Sequence, residues 1–66
     1  MADADLVELD DVEAVADTGL ALICVIKGRR VPVPPHAIEP GSTVRQVGDR
    51  GKLIIPVWMA RNLGVA

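Results

Sequence analysis

The chain has 66 residues, half of them apolar, and a formal net charge of −2. That length sets a ceiling of one domain, and a lone core of this size would bury only about 60% of the unfolded surface, which is marginal. Cys24 is the only cysteine and His36 the only histidine, which excludes a disulfide framework and leaves no ligand cluster for zinc. Apolar surface shared between two subunits reconciles the small size with the apolar content, so a homodimer is expected.

The N-terminal stretch is acidic. Asp3, Asp5, Glu8, Asp10, Asp11, Glu13 and Asp17 all precede Thr18, and no Lys or Arg stands among them. Such a start does not have the form of a signal peptide. Like charges repel and resist packing, so residues 1–17 read as a flexible, solubilising leader. A sharper alternative has the leader folding over a basic face and competing with nucleic acid. Within it, Leu9, Val12 and Ala16 fall at helical spacing and predict a short amphipathic helix over 6–16, with an extra strand as the alternative.

From Thr18 onward the balance reverses, with seven basic residues against Glu39 and Asp49. The apolar run Leu20 to Ile26 is rich in β-branched residues and predicts a strand covered on both faces. It is far too short to span a bilayer, so no membrane partner is expected. Lys27-Gly28 supplies a hairpin turn. Val31 to Pro34 predicts a second strand, placed at a sheet edge because its prolines cannot donate to a ladder. Pro34 to Ile38 predicts one helical turn, and Glu39 to Ser42 a loop.

Val44 to Val47 and Lys52 to Ile55 predict a second hairpin across Gly48-Asp49-Arg50-Gly51. Pro56 suits a helix start and Gly64 a helix end, so a helix is expected from Pro56 to Leu63. Val57, Ala60 and Leu63 would face the core, with Trp58 and Asn62 on the neighbouring face. The fold class is therefore mainly β: a small barrel of two hairpins plus one short C-terminal helix, completed by dimerisation. The domain occupies residues 18–66. Trp58, Leu22 and Ile54 are the expected interface residues.

No catalytic constellation is visible. The hydroxyls of Thr18, Ser42 and Thr43 have no base at a matching spacing, and His36 sits in a proline-rich turn. Gly51-Lys52 is followed by Leu53 and is not a phosphate-binding loop of the P-loop type. The expectation is a non-enzyme with no cofactor and no metal. Cys24 reads as a small buried hydrophobe and, as a lone cysteine, fits a reducing cytoplasm, bacterial or phage-infected. Single-stranded nucleic acid fits poorly, because Trp58 is the only aromatic residue available for stacking. Phosphate contact remains open for the basic body. Lys27, Arg29 and Arg30 crowd the first turn, and Arg45, Arg50 and Lys52 surround the second. The plain alternative is a charged, solvated rim that blunts edge pairing.

Two resemblances narrow these readings. Val44-Arg45-Gln46-Val47, Gly51-Lys52, Ile55-Pro56 and Leu63-Gly64-Val65 together resemble the N-terminal half of the SpoVT/AbrB family. That family forms swapped-hairpin dimers that bind duplex DNA, mostly as transition-state regulators and antitoxins. The resemblance implies a DNA-binding regulatory protein with Arg45, Lys52 and Arg61 as DNA contacts; Arg50, Arg29 and Arg30 join them as candidates from their places at the two turns. The chain departs from the family at Ala60, where a second helical Arg is common. It departs also in chain order, since its other hairpin precedes the match instead of following it. The second resemblance covers Leu20 to Gly64, through Val33-Pro34-Pro35-His36-Ala37-Ile38, Gly48-Asp49-Arg50-Gly51-Lys52-Leu53-Ile54-Ile55 and Trp58-Met59-Ala60. These residues look like those of small uncharacterised proteins of tailed phages. That likeness implies, as the alternative, an accessory protein that binds a host or phage protein.

Overall fold

The structure, a computed structural model, describes residues 5–65. Four strands form one open antiparallel sheet: β1 (Leu6–Asp17), β2 (Leu22–Ile26), β3 (Arg29–Val33) and β4 (Arg50–Pro56). Their order across the sheet is β3-β2-β1-β4. A 3₁₀ turn at Pro35–Ala37 follows β3, and a single helix, α1 (Val57–Leu63), follows β4. The mainly β class with a C-terminal helix is as expected. Among the described residues the sheet is open and does not close into a barrel.

The acidic segment is the centre of this sheet. β1 pairs with β2 through Glu13–Asp17 and with β4 through Leu6–Glu13. The segment 6–16 therefore forms the strand given as the alternative and not the helix; of the leader expected over 1–17, Leu6–Asp17 is the longest strand of the sheet, and residues 1–4 lie outside the described residues. A β-bulge accounts for the helix-like spacing of Leu9 and Val12. Leu9 pairs with Leu53 and Val12 with Gly51, so Asp10 and Asp11 face Lys52 alone. Asp11 takes φ 56°, a left-handed conformation that Asp adopts more readily than most residues. The extra residue turns the usual two-residue step into three. Leu9, Val12 and Ala14 consequently share the buried face, and the step from Leu9 to Val12 imitates a helix. Repulsion among the carboxylates is relieved because they are exposed to solvent and because Glu8 and Glu13 have Lys52 and Arg50 of β4 beside or opposite them.

β2 and β3 make the expected hairpin. Lys27 and Gly28 both have positive φ, 52° and 80°, the pair of values a two-residue type I′ turn requires. Leu22, Cys24, Ile26, Val31 and Val33 are buried on one face, whereas Ile23 and Val25 are only half-buried. The apolar run is thus covered on one face rather than two. It also enters the sheet at Leu22, later than expected. Gly19 N–H donates to Asp17 Oδ1 at 2.8 Å and Ala21 N–H to Thr18 Oγ1 at 3.1 Å, which holds residues 17–21 as a turn. Leu20, at its tip, is 88% exposed. β3 lies at the sheet edge with Pro32 in it, the one place in a sheet that tolerates a missing donor.

The second hairpin is not formed. Val44 to Val47 is not a strand, and β4 pairs with β1 instead. The side chain of Asp49 is the cause: its Oδ2 accepts from the N–H groups of Arg45 and Gln46, each at 3.1 Å. Those N–H groups are then lost to a ladder, and Asp49 N–H closes the turn on Gln46 O at 3.0 Å. Gly48 N–H donates to Ala14 O, and Ala14 N–H to Asp49 O, each at 2.9 Å, so this turn docks on β1.

The outer edge of β4 is closed by the loop before it. Ile54 N–H donates to Ser42 Oγ and Lys52 N–H to Thr43 Oγ1, each at 2.9 Å. Ile54 O in turn accepts from Glu39 N–H at 2.8 Å, and Lys52 O from Thr43 N–H at 2.9 Å. Hydroxyls thus do what a fifth strand would do, and the edge cannot pair with another chain. Gly51 makes this docking fit: it has φ 148°, and a Cβ there would meet Thr43 Oγ1 at 2.5 Å.

α1 begins after Pro56, which serves as its N-cap and not, as expected, as a helical residue. Gly64 ends it in the left-handed conformation, with its N–H on Arg61 O. Met59 and Ala60 are buried, as is Val65 beyond the helix, and Leu63 packs at their margin. Of the helix residues expected inward, Ala60 is fully buried and Val57 only half. Met59 takes the inward place instead. The core lies between the inner face of the sheet and α1, with Ala37 and Val44 filling the side; Val12, Val33, Val44, Leu53 and Ile55 are all 0% exposed. Burying a side chain such as Leu53 or Ile55 stabilises the fold by about 1.5–3 kcal/mol.

Two substitutions test the closed edge of β4. Ser42→Ala strands the Ile54 N–H and should cost about 1–3 kcal/mol. Gly51→Ala should cost a similar amount or more, from positive φ and the Thr43 clash. Urea unfolding of both variants checks this, and wild-type midpoints in both would refute the account.

Candidate functional site

The solvent-facing side of the sheet carries the charged candidates. Strand register sets a row across it: Arg30 on β3 opposite Val25 on β2, Val25 opposite Glu13 on β1, and Glu13 opposite Arg50 on β4. Two residues along β4 from Arg50, Lys52 points the same way. Its Nζ lies 3.7 Å from Glu8 Oε1, and both side chains are exposed, so the pair adds little stability. The carboxylates of β1 therefore stand between the cations of β3 and those of β4. The charge that is segregated along the sequence is interleaved in space.

The other basic candidates scatter. Arg45 is exposed in the Asp49-held turn, with Nε donating to Ser42 O at 3.3 Å. Arg61 is exposed on α1. Arg29 begins β3, and its guanidinium lies against the C-terminal turn of α1: a Cβ on Gly64 would be 4.0 Å from Nη1. That position suits a cation, because the unpaired carbonyls there carry partial negative charge. The structure thus brings Arg30, Arg50 and Lys52 to one face and leaves Arg45, Arg29 and Arg61 elsewhere.

Of the expected interface residues, Leu22 is buried in the chain's own core at 2% exposed. Ile54 is half-buried, with the loop at Gly41 close over it. Trp58 is 55% exposed, and a residue that sequence reasoning missed lies at the same end: Leu6, 50% exposed. Leu6 pairs with Pro56, and Val57 N–H donates to Asp5 O at 3.0 Å, so the start of β1 and the start of α1 are tied together. The signal for Leu6 was its place two residues before Glu8 in an alternating segment, a pattern that counts only once the segment is recognised as a strand.

A groove of about 530 Å³ lies between the bulge of β1 and the β2–β3 turn. Glu8, Asp10 and Asp11 stand on one side of it and Lys27 on the other, with Leu9 and Ile26 between. Among the described residues, no three His, Cys, Asp or Glu side chains come together as a metal-holding group, and no helix is long and apolar enough to cross a membrane. No family model, curated protein or solved structure matches the chain.

Cys24 is fully buried, and that burial pushes its thiol above the ordinary value of 9.0. The neutral thiol is the form the core accepts. Its contribution to stability is complete below pH 9.0 and falls as the pH rises toward the raised folded value, because the unfolded chain releases the proton first. Native protein should therefore alkylate slowly at pH 8 and rapidly in urea, and the alkaline loss of stability should be shallower in Cys24→Ala. Alkylation at equal rates in both states would contradict the burial.

Proposed function

We propose that this chain is a small non-enzymatic accessory module that binds another protein, with the Leu6–Trp58 end as its contact surface. The observation that carries the reading is the exposure of those two large apolar side chains on elements joined by the Val57–Asp5 hydrogen bond. Aromatic anchors of this kind, rimmed by charge, are common at the energetic centre of protein interfaces. The interleaved charges of the outer face support the same choice. A duplex presents a continuous line of phosphates. Here each cation of β4 on that face has a β1 carboxylate opposite or diagonal to it.

Regulatory DNA binding of the SpoVT/AbrB-like kind is the second reading, favoured by the exposure of Arg29, Arg30, Arg45, Arg50 and Arg61. In that reading a second copy would complete a barrel, and Lys52 would exchange Glu8 for phosphate. The two readings separate on salt dependence. Duplex-DNA gel shifts at low and raised salt are set beside capture of proteins from nuclease-treated bacterial lysate by the full chain. Protein binding predicts no salt-steep shift and a captured protein that is lost with Trp58→Ala. A shift that weakens steeply with salt and vanishes in Arg45→Ala with Lys52→Ala would replace it with the DNA reading.

A further inference from the structure

The two edges of β1 differ. From Leu6 to Glu13 it is paired with β4, but β2 reaches only as far as Glu13 from the other side. Over residues 6–11 the side toward β2 has no neighbouring strand among the described residues. The direction of the backbone groups there follows from β4. Ile54 turns its N–H and C=O away from β1, to Ser42 and Glu39. In an antiparallel pair such residues alternate, so the groups of Leu53 and Ile55 point at β1, and those of their partners Leu9 and Val7 point back. Leu6 and Glu8 must then aim their N–H and C=O groups at the open side. The groove beside Lys27-Gly28 lies along that side.

We propose that this open edge is a strand-addition site for an extended, basic segment of a partner protein. The proposal rests on the protein-binding reading and specifies its mode. Backbone groups of Leu6 and Glu8 would give the affinity, and alternate side chains the selectivity. Charge names the occupant. Asp10 and Asp11 line the groove with Glu8, which also has Lys52 of β4 at 3.7 Å, and the lining holds one cation, Lys27, so a segment with Lys or Arg at alternate positions is complementary. Leu6, exposed two residues before Glu8 on the same open stretch, fits an apolar residue beyond the basic ones. A second copy is a poorer occupant. Two β1 edges would oppose carboxylates to carboxylates, and the β3 edge contains Pro32, which has no N–H to offer.

The test uses the full chain and three synthetic nonapeptides. The first alternates Lys with Val and Thr, the second replaces Lys by Glu, and the third is the Lys peptide N-methylated at alternate residues. Strand addition predicts that the Lys peptide binds, and that the Glu and N-methylated peptides bind at least about tenfold more weakly. On binding, amide exchange should slow at Leu6 and Glu8 and stay unchanged at Val7 and Leu9, which are already bonded to β4. Asp10→Lys should weaken the Lys peptide without altering the unfolding midpoint. Glu8→Pro, which removes one edge donor and no β4 ladder bond, should do the same. Equal binding of the N-methylated peptide would reduce the site to surface charge and overturn the proposal. Protection of Leu6 and Glu8 in the chain alone, rising with its concentration, would overturn it in favour of a second copy. Failure of the Lys peptide alongside retained Trp58-dependent capture would remove strand addition alone, whereas failure of both would remove the protein-binding reading too.

Discussion

Two-sided pairing of the acidic strand β1 is the constraint on which the rest of the molecule depends. Every other strand is placed relative to it: β2 on one edge, β3 beyond β2, β4 on the other edge. The turn at Gly48-Asp49 docks on it directly, and the start of α1 is tied to its first residues. The carboxylates that make this segment look unfit for a core point to solvent, while Leu9, Val12 and Ala14 point inward. An acidic strand can therefore sit at the middle of a sheet, provided that one face stays wet and cations lie across the ladder.

That arrangement also governs what the surface can do. A basic body trailing a detachable acidic leader would present a cationic face. A basic body built around an acidic strand presents alternating signs instead, with Glu13 opposite Arg50 and Glu8 beside Lys52. The edges follow the same logic. β4 is sealed by Ser42 and Thr43, and β3 is blunted by Pro32. One stretch of β1 remains open, next to the two most exposed apolar residues of the β1–α1 end.

The local signals in the sequence were reliable where one residue type settles the geometry. Lys27-Gly28 marked the first hairpin, Pro32 the edge strand, Pro35 the short turn, and Gly64 the end of α1. They failed where a side chain or a bulge overrides the local pattern. Val44 to Val47 has the composition of a strand, but Asp49 takes the N–H groups of Arg45 and Gln46. Leu9 and Val12 have the spacing of a helix, but the spacing comes from two residues of β1 facing one of β4. The first effect is a side-chain bond over three and four residues that strand composition does not register, and the second is not local, since it depends on which strand β4 pairs with. For the candidate site, the arginines were legible as exposed. Their neighbours were not, because the acidic residues between them come from β1, a segment distant in the chain from β3 and still more from β4.

The pairing of residue 6 with residue 56 has a consequence for how the chain reaches this state. The β2–β3 hairpin is local and can close as soon as its few residues are made. The far edge of β1 stays bare until β4, the last of the four strands in chain order, has been made. Joining them closes the long loop between β1 and β4, an entropic barrier that grows with the separation of the paired residues. During synthesis the earliest-made strand is thus a waiting template, and its run of negative charge keeps identical waiting strands apart. The acidity of β1 thereby serves the nascent chain as a guard against aggregation, before it has any place in the finished sheet.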